Sequence, residues 1–103
     1  MDSVYVRLLV EFIGTFVFLS IIMRTDSTPI AIAVGLLAAI YFGGSVSGGH
    51  FNPAVTLAKL VEGTTSTLTS QTALGYVGAQ AAGALAAMWL YNHVLKSVSV
   101  DTV

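Results

Sequence analysis

The chain of 103 residues is strongly apolar and almost uncharged. Hydrophobic residues make up 55% of it and charged residues 9%, whereas soluble domains carry about 25% charged residues. The composition therefore predicts one small unit embedded in a membrane. The net charge of −1 argues against a nucleic-acid partner, and the lack of cysteine excludes disulfides, a thiolate nucleophile and thiolate metal sites.

The first apolar stretch covers residues 4–23 and is long enough to cross a bilayer, for which about 20 residues suffice. Glu11 interrupts it, which argues against a cleaved secretory signal with a continuous apolar region. An acidic side chain inside a membrane helix normally faces the protein interior or a water-filled path. Arg7 lies one helical turn before Glu11, so the two side chains could form an ion pair.

Two further spans are predicted, over residues 28–46 and residues 72–95. Pro29 suits the first turn of the second span, and Trp89 and Tyr91 suit the membrane interface near the end of the third. Small residues recur at steps of four in both spans, a pattern that lets membrane helices approach closely. The two stripes are Ala31, Gly35, Ala39 and Gly43, and Gly75, Ala79, Gly83 and Ala87.

Between these spans lies the segment GGSVSGGHFNPAVT, residues 43–56. Its glycines predict extended backbone, because glycine inside a helix costs about 1 kcal/mol relative to alanine. Asn52 is a good N-cap and Pro53 suits the first helical position, so a short helix should follow. Nine residues of helix span about 14 Å, which is half a bilayer. We therefore predict a re-entrant loop and half-helix over residues 47–61.

Three motifs, in this order, resemble the aquaporin and glycerol-channel family, the major intrinsic proteins. They are EFIGTF at residues 11–16, SGGHFNPAVT at residues 47–56, and Tyr76 followed by AQAAGA at residues 79–84. The resemblance covers nearly the whole chain. The family carries two such repeats, and these 103 residues contain the first of them.

The resemblance implies an all-α membrane protein with three transmembrane helices and one re-entrant half-helix. Residues 1–103 would form a single half of the aquaporin fold, completed by an antiparallel partner. The family gives Glu11 the role of accepting hydrogen bonds from the irregular loop, with His50 and Gln80 as further loop support. Non-helical backbone at membrane depth must be covered by protein or line a water-filled cavity, so a single half needs a partner to cover its irregular loop.

The simplest partner is a second copy in the opposite orientation, as in inverted repeats. In the family topology Arg7 and Lys59 lie on one side of the membrane and Arg24 and Lys96 on the other. Because an excess of Lys and Arg on one side fixes orientation, this balance predicts insertion both ways. We expect antiparallel homodimers in contact with membrane lipid, four pairs to an assembly, as the family groups four pores.

The resemblance makes Asn52, Pro53 and Ala54 the pore motif. Two half-helix N-termini would meet near the midplane, where their positive dipole ends oppose cations and the Asn52 amides donate hydrogen bonds to a passing hydroxyl or water. The two halves together would form a passive channel for small neutral solutes.

The family's selectivity filter maps onto four aliphatic or glycine positions in this sequence. Counting from the pore motif, they are Ile32, with Ile40, Gly49 and Val55 from the partner copy. Family members usually carry an arginine at the last position. An apolar filter without that arginine fits glycerol-like solutes better than strict water selectivity, and water remains a second solute.

Two other interpretations of the sequence remain. The half could pair with a different chain that supplies the missing repeat, or it could be a non-conducting membrane scaffold. The sequence offers no acid–base pair, activated nucleophile or metal cluster at useful spacing. We therefore expect an integral, multi-pass membrane protein that is not an enzyme and needs no cofactor or metal.

Overall fold

A computed structural model describes residues 3–26 and 28–98. These residues form four α-helices and one 3-10 turn: α1 (Val4–Arg24), α2 (Pro29–Ser47), α3 (Pro53–Glu62), α4 (Ser70–His93) and the turn Leu95–Ser97. Three segments, α1, α2 and Ser70–Ser97, are long and apolar enough to cross a membrane. The predicted all-α class is confirmed, with three long apolar helices and a short one, consistent with half of the aquaporin fold.

Side-chain caps account for where α1 and α4 begin. The Ser3 hydroxyl accepts a hydrogen bond from the Val6 N–H at 3.3 Å, one turn into α1. The Thr69 hydroxyl does the same for the Thr72 N–H at 3.2 Å. Because Thr69 is the cap, α4 begins at Ser70, two residues before the start that hydropathy indicates.

The second helix continues through residues 43–47, close to the predicted span over residues 28–46, whereas the extended backbone expected from the glycines begins only at residue 48. Gly43 lies so close to Val10 of α1 that any Cβ at that position would overlap the valine side chain. This close approach of two helices outweighs the low helix propensity of glycine. α2 ends at Gly48, whose φ of 94° is left-handed and whose N–H donates to the Gly44 carbonyl at 2.9 Å.

The small-residue stripe of α2 matches its buried face in part. Gly35, Ala39 and Gly43 are buried, whereas Ala31 is half-buried. In α4 the predicted stripe is only partly right, because Gly75 and Ala79 are half-buried. The buried line of α4 consists of Ala73, Tyr76, Gln80, Gly83 and Ala87.

The helices pack around α1, which contacts α4 on one side and α2 on the other, while α3 lies against α4. The α1–α4 contact is tightest at Gly83, where an added Cβ would stand 2.6 Å from the Phe12 carbonyl oxygen. The small buried core consists of Val10, Ala39 and Phe51. Many large apolar side chains point outward, such as Tyr41 at 83% exposure, as expected for helices that face lipid or other protein.

The four cations divide between the two ends of the bundle. Arg7 and Lys59 line one cavity at the end where α1 begins. At the opposite end the Arg24 guanidinium donates to the Val98 carbonyl, next to the 3-10 turn that carries Lys96. Within residues 3–26 and 28–98, Lys59–Glu62 at 3.3 Å is the one salt bridge, so an Arg7–Glu11 ion pair does not form.

Candidate functional site

The irregular loop is confined to residues 48–52 and turns the chain back into the bundle. Gly48 and Gly49 both take left-handed backbone conformations, with φ of 94° and 64°, which glycine adopts without strain. Phe51 is also left-handed, with φ of 53°, although bulky residues rarely are. Its ring is 2% exposed and covers Gly14, where any Cβ would overlap the ring, so packing holds the loop in this shape.

The carboxylate of Glu11 is fully buried and accepts four hydrogen bonds. One oxygen accepts from the Ser47 hydroxyl at 2.6 Å and the His50 N–H at 3.1 Å. The other accepts from the Phe51 N–H at 2.8 Å and the Gln80 amide at 2.8 Å. An ionised carboxylate is an acceptor with about four lone-pair sites, so these donors match its capacity. One side chain of α1 thereby joins the end of α2, the loop and α4.

A second set of hydrogen bonds fixes His50 against α3 and α4. The Gln80 amide nitrogen donates to the Thr56 hydroxyl at 2.9 Å, and that hydroxyl lies 2.9 Å from His50 Nδ1. The Tyr76 hydroxyl donates to the Ser47 carbonyl at 2.6 Å. Sequence reasoning selected Glu11, His50 and Gln80, and the structure brings these three together in one network.

Three members of the network escaped the sequence analysis as individual site residues, namely Ser47, Thr56 and Tyr76. The spacing carried a signal for two of them. Thr56 is one turn after the cap residue Asn52, and Tyr76 is one turn before Gln80, on the same face of α4.

Glu11 also orients the Gln80 side chain, because a carboxylate only accepts and the amide nitrogen must therefore face it. The same nitrogen donates to the Thr56 hydroxyl at 2.9 Å, and that hydroxyl lies 2.9 Å from His50 Nδ1 and 3.4 Å from the Asn52 carbonyl oxygen. Because a hydroxyl has one proton and two lone pairs, both neutral tautomers of His50 are compatible with these contacts.

The short helix α3 begins with the pore motif that the sequence singles out. The Asn52 side-chain oxygen accepts from the Ala54 N–H at 2.8 Å, and Pro53 occupies the first helical position. Asn52, Pro53 and Ala54 are all exposed in the single chain. With its oxygen used as the helix cap, Asn52 presents its amide nitrogen as the donor outside the helix.

A groove of about 340 Å³ runs from this tip. Asn52 and Pro53 form one wall, and the C-terminal half of α1 and the middle of α4 form the others, with Thr15, Leu19, Gln80 and Ala84 among the lining residues.

The four residues assigned to the filter lie in three places. Ile40 and Gly49 are neighbours within one chain, since a Cβ on Gly49 would stand 3.6 Å from the Ile40 Cα. Ile32 is half-buried on α2, eight residues or about 12 Å of helix before Ile40. Val55 is 39% exposed on the first turn of α3. Among the described residues, no group of three or more His, Cys, Asp or Glu side chains could hold a metal ion.

The model for the family "Major intrinsic protein" matches residues 2–103. The chain belongs to the major intrinsic protein family. It is 42% identical over 89 residues to a glycerol uptake facilitator protein-like 6 of Lactiplantibacillus plantarum, which covers 79% of this chain and 40% of that protein. It is 40% identical over 96 residues to the lens fiber major intrinsic protein of Gallus gallus, covering 82% and 36%.

A third relative is aquaporin-5 of Mus musculus, 47% identical over 60 residues, which covers 58% of this chain and 21% of the relative. The chain thus spans less than half of the length of these major intrinsic proteins. A comparison with solved structures gave no significant match. Family membership and the three candidate spans together make the chain an integral membrane protein that crosses the bilayer several times.

Proposed function

We propose that this chain forms half of a passive membrane channel for small neutral solutes, glycerol-like solutes and water. Its relatives include a protein named as a glycerol uptake facilitator and others named as aquaporins, which supports this solute class. The pore motif would be Asn52, Pro53 and Ala54, with Glu11, His50 and Gln80 supporting the loop.

The observation that carries the proposal is the exposed tip of a short helix that packs against α4, one of the three candidate membrane spans. α3 has ten residues, about 15 Å, so it reaches only part of the way across a bilayer. Its N-terminus ends in an exposed Asn52 on a loop that the buried Glu11 carboxylate holds in place. A buried charged group with four donors is an expensive feature in an apolar chain, which argues against a scaffold whose helices merely associate.

Neutral solutes suit the charge distribution at this tip. The N-terminus of α3 carries roughly half a positive charge, which opposes cations, while the Asn52 amide nitrogen offers a hydrogen bond to a hydroxyl or water oxygen. The filter positions Ile32, Ile40, Gly49 and Val55 add apolar or backbone surface. Such surface accommodates the carbon skeleton of a polyol.

The second half of the pore comes, in this proposal, from an identical copy in the opposite orientation. An exposed half-helix tip and irregular loop require protein or water around them at membrane depth. Arg7 and Lys59 lie at one end of the bundle and Arg24 and Lys96 at the other. Neither end therefore has the Lys/Arg excess that would select one orientation. Four such pairs would form the full assembly. The competing partner is a different chain that contributes the second repeat.

Asn52→Asp tests the channel. The change keeps the helix cap but replaces the outward donor with an acceptor and a negative charge, twice over in a pair of identical halves. We expect glycerol flux into proteoliposomes, followed by light scattering after an osmotic step, to fall at least about tenfold, in line with the loss of a hydrogen bond to a charged or buried group.

Asn92→Asp is the matched control, because Asn92 is an exposed residue near the end of α4, away from the pore motif. It should conduct like the parent chain. Equal flux in the two variants would remove Asn52 from the pore wall. Lack of any flux above that of empty liposomes in the parent chain would favour the non-conducting scaffold.

A further inference from the structure

A cavity lies at the end of the bundle where α1 begins, beside the loop that precedes Asn52. It has a volume of about 250 Å³ and is formed by four parts of the chain: α1, the end of α2 with the loop, α3, and the α3–α4 connection with the start of α4. Its lining is rich in polar groups. They include Arg7, His50, Lys59, Thr65, Thr67 and Tyr76.

Two carbonyl groups of the residues that line this cavity already accept hydrogen bonds. The Thr67 carbonyl accepts from the Arg7 guanidinium at 3.4 Å, and the Ser47 carbonyl accepts from the Tyr76 hydroxyl at 2.6 Å. Because a guanidinium has five donors and no acceptor, Arg7 suits a ligand with several acceptor oxygens.

Gly48 keeps one edge of the His50 ring accessible from the cavity. A Cβ at Gly48 would stand 3.2 Å from His50 Nε2 and 3.3 Å from Cδ2, so any side chain there would pack over that edge of the ring. Gly48 itself lines the cavity. The left-handed backbone that ends α2 thus also leaves space beside Nε2.

The two carboxylates near this cavity, those of Glu62 and Glu11, already have partners. Glu62 pairs with Lys59 at the rim, where both side chains are about half exposed. The Glu11 oxygens face the loop and accept four hydrogen bonds there. Among the described residues, Arg7 is thus the cation of this cavity that has no carboxylate within salt-bridge distance.

We propose that this cavity binds a phosphate oxyanion, with the Arg7 guanidinium as the principal ligand and Lys59 at the rim. Arginine matches phosphate because its planar fork can donate two parallel hydrogen bonds. Basic pockets between transmembrane helices near the membrane surface are known to take lipid head groups. The phosphate can therefore come from an anionic phospholipid or from solution, and the site does not depend on whether the chain conducts.

The test uses the purified full chain in an uncharged detergent, with ionic strength held constant by potassium chloride. Inorganic phosphate is titrated in one arm and phosphatidylglycerol in the other, with phosphatidylcholine as the lipid control, and the melting temperature is followed. A saturable rise with inorganic phosphate identifies a soluble ligand. A rise with phosphatidylglycerol but not with inorganic phosphate or phosphatidylcholine identifies a lipid head group.

Three charge-neutralising variants locate the site. Arg7→Gln should weaken the binding of whichever phosphate source is effective at least about tenfold, as the loss of a charge-assisted hydrogen bond implies. Lys59→Gln, at a half-exposed position that folding tolerates, should weaken it by a smaller factor. Lys96→Gln removes the same charge at the opposite end of the bundle and should bind like the parent chain.

A parent chain that responds to neither phosphate source would overturn the proposal. An equal loss in Lys96→Gln and Lys59→Gln would overturn it too, because the effect would then be general charge screening. Solute flux is measured separately on the same preparations. Failure of the phosphate site leaves flux intact, whereas failure of the channel proposal leaves the melting-temperature response intact.

Discussion

Glu11 is the residue on which the hydrogen bonds of the chain converge. Its carboxylate satisfies two backbone N–H groups of the loop, those of His50 and Phe51, as well as two side chains. A buried N–H left without an acceptor costs roughly 1–3 kcal/mol. Because Phe51 is also held in a left-handed conformation, loss of its acceptor should release the loop.

Glu11→Ala should therefore lower the stability of the chain by several kcal/mol, about 1–3 for each of the two orphaned N–H groups. The measurement is the melting temperature of the purified protein in detergent, followed by circular dichroism. Glu62→Ala is the matched control, since Glu62 is a solvent-exposed carboxylate whose partner Lys59 is also half exposed. Similar melting temperatures for the two variants would show that the Glu11 network does not hold the loop.

At the scale of the helices, the contact between α1 and α4 depends on one glycine. A Cβ on Gly83 would stand 2.6 Å from the Phe12 carbonyl oxygen and 3.2 Å from the Phe16 nitrogen, both backbone atoms that cannot turn aside. Gly78, on the same helix, has nothing within 4 Å of such a Cβ. The two glycines thus share one secondary structure and differ in their surroundings.

Gly83→Ala should separate α1 from α4 and lower the melting temperature, whereas Gly78→Ala should leave it unchanged or raise it. Alanine favours a helix over glycine by about 1 kcal/mol, a gain that both variants share. The difference between them therefore reports the α1–α4 contact alone. A Gly83→Ala protein as stable as the Gly78→Ala protein would mean that the helices can move apart without loss.

Helix patterns in the sequence were sufficient for much of the fold. The three apolar runs predict α1, α2 and α4, and the pair Asn52–Pro53 predicts the start of α3, because each signal is local. For Gly43 and Gly44 the local signals conflict, because the apolar run extends the second span to residue 46 whereas glycine has low helix propensity. The helix continues there because Gly43 fits against Val10, a contact between helices that no local propensity contains.

The site shows the same division between local and distant signals. Glu11, His50 and Gln80 were selected from motifs, yet nothing in the motifs specifies that the Phe51 ring covers Gly14 or that Tyr76 donates to the Ser47 carbonyl. Those contacts join residues 29 or more positions apart. They follow from how three helices meet, so only a three-dimensional structure reveals them.

For the whole molecule, the decisive question is orientation in the membrane. Arg7 and Lys59 lie at one end of the bundle and Arg24 and Lys96 at the other, so the four cations offset each other. Asp2→Cys and Thr102→Cys give single labelling sites, because the sequence contains no cysteine. With a membrane-impermeant thiol reagent on intact cells, we expect each site to label to about half, since balanced Lys and Arg leave both orientations open.

Two lysines added before residue 4 should shift that distribution strongly, and two added between residues 24 and 28 should shift it the other way. Each shifted protein alone should conduct poorly, and co-expression of the two should restore flux. Labelling confined to one face in the parent chain would exclude the antiparallel pair of identical copies. The second repeat would then have to come from another chain.

The network around Glu11 also sets an order of events during biosynthesis. Glu11 is synthesised 36 residues before Ser47 and 69 residues before Gln80. The Glu11 carboxylate therefore leaves the ribosome before the groups that donate hydrogen bonds to it have been made. An acidic side chain at the centre of an isolated helix adds about 3 kcal/mol to its insertion into lipid. The other residues of α1 are apolar enough to offset this cost, so α1 can insert while Glu11 still lacks its partners. The carboxylate has all four hydrogen-bond donors only after the loop and α4 have been synthesised, so the loop can take its folded shape only when α4 has arrived.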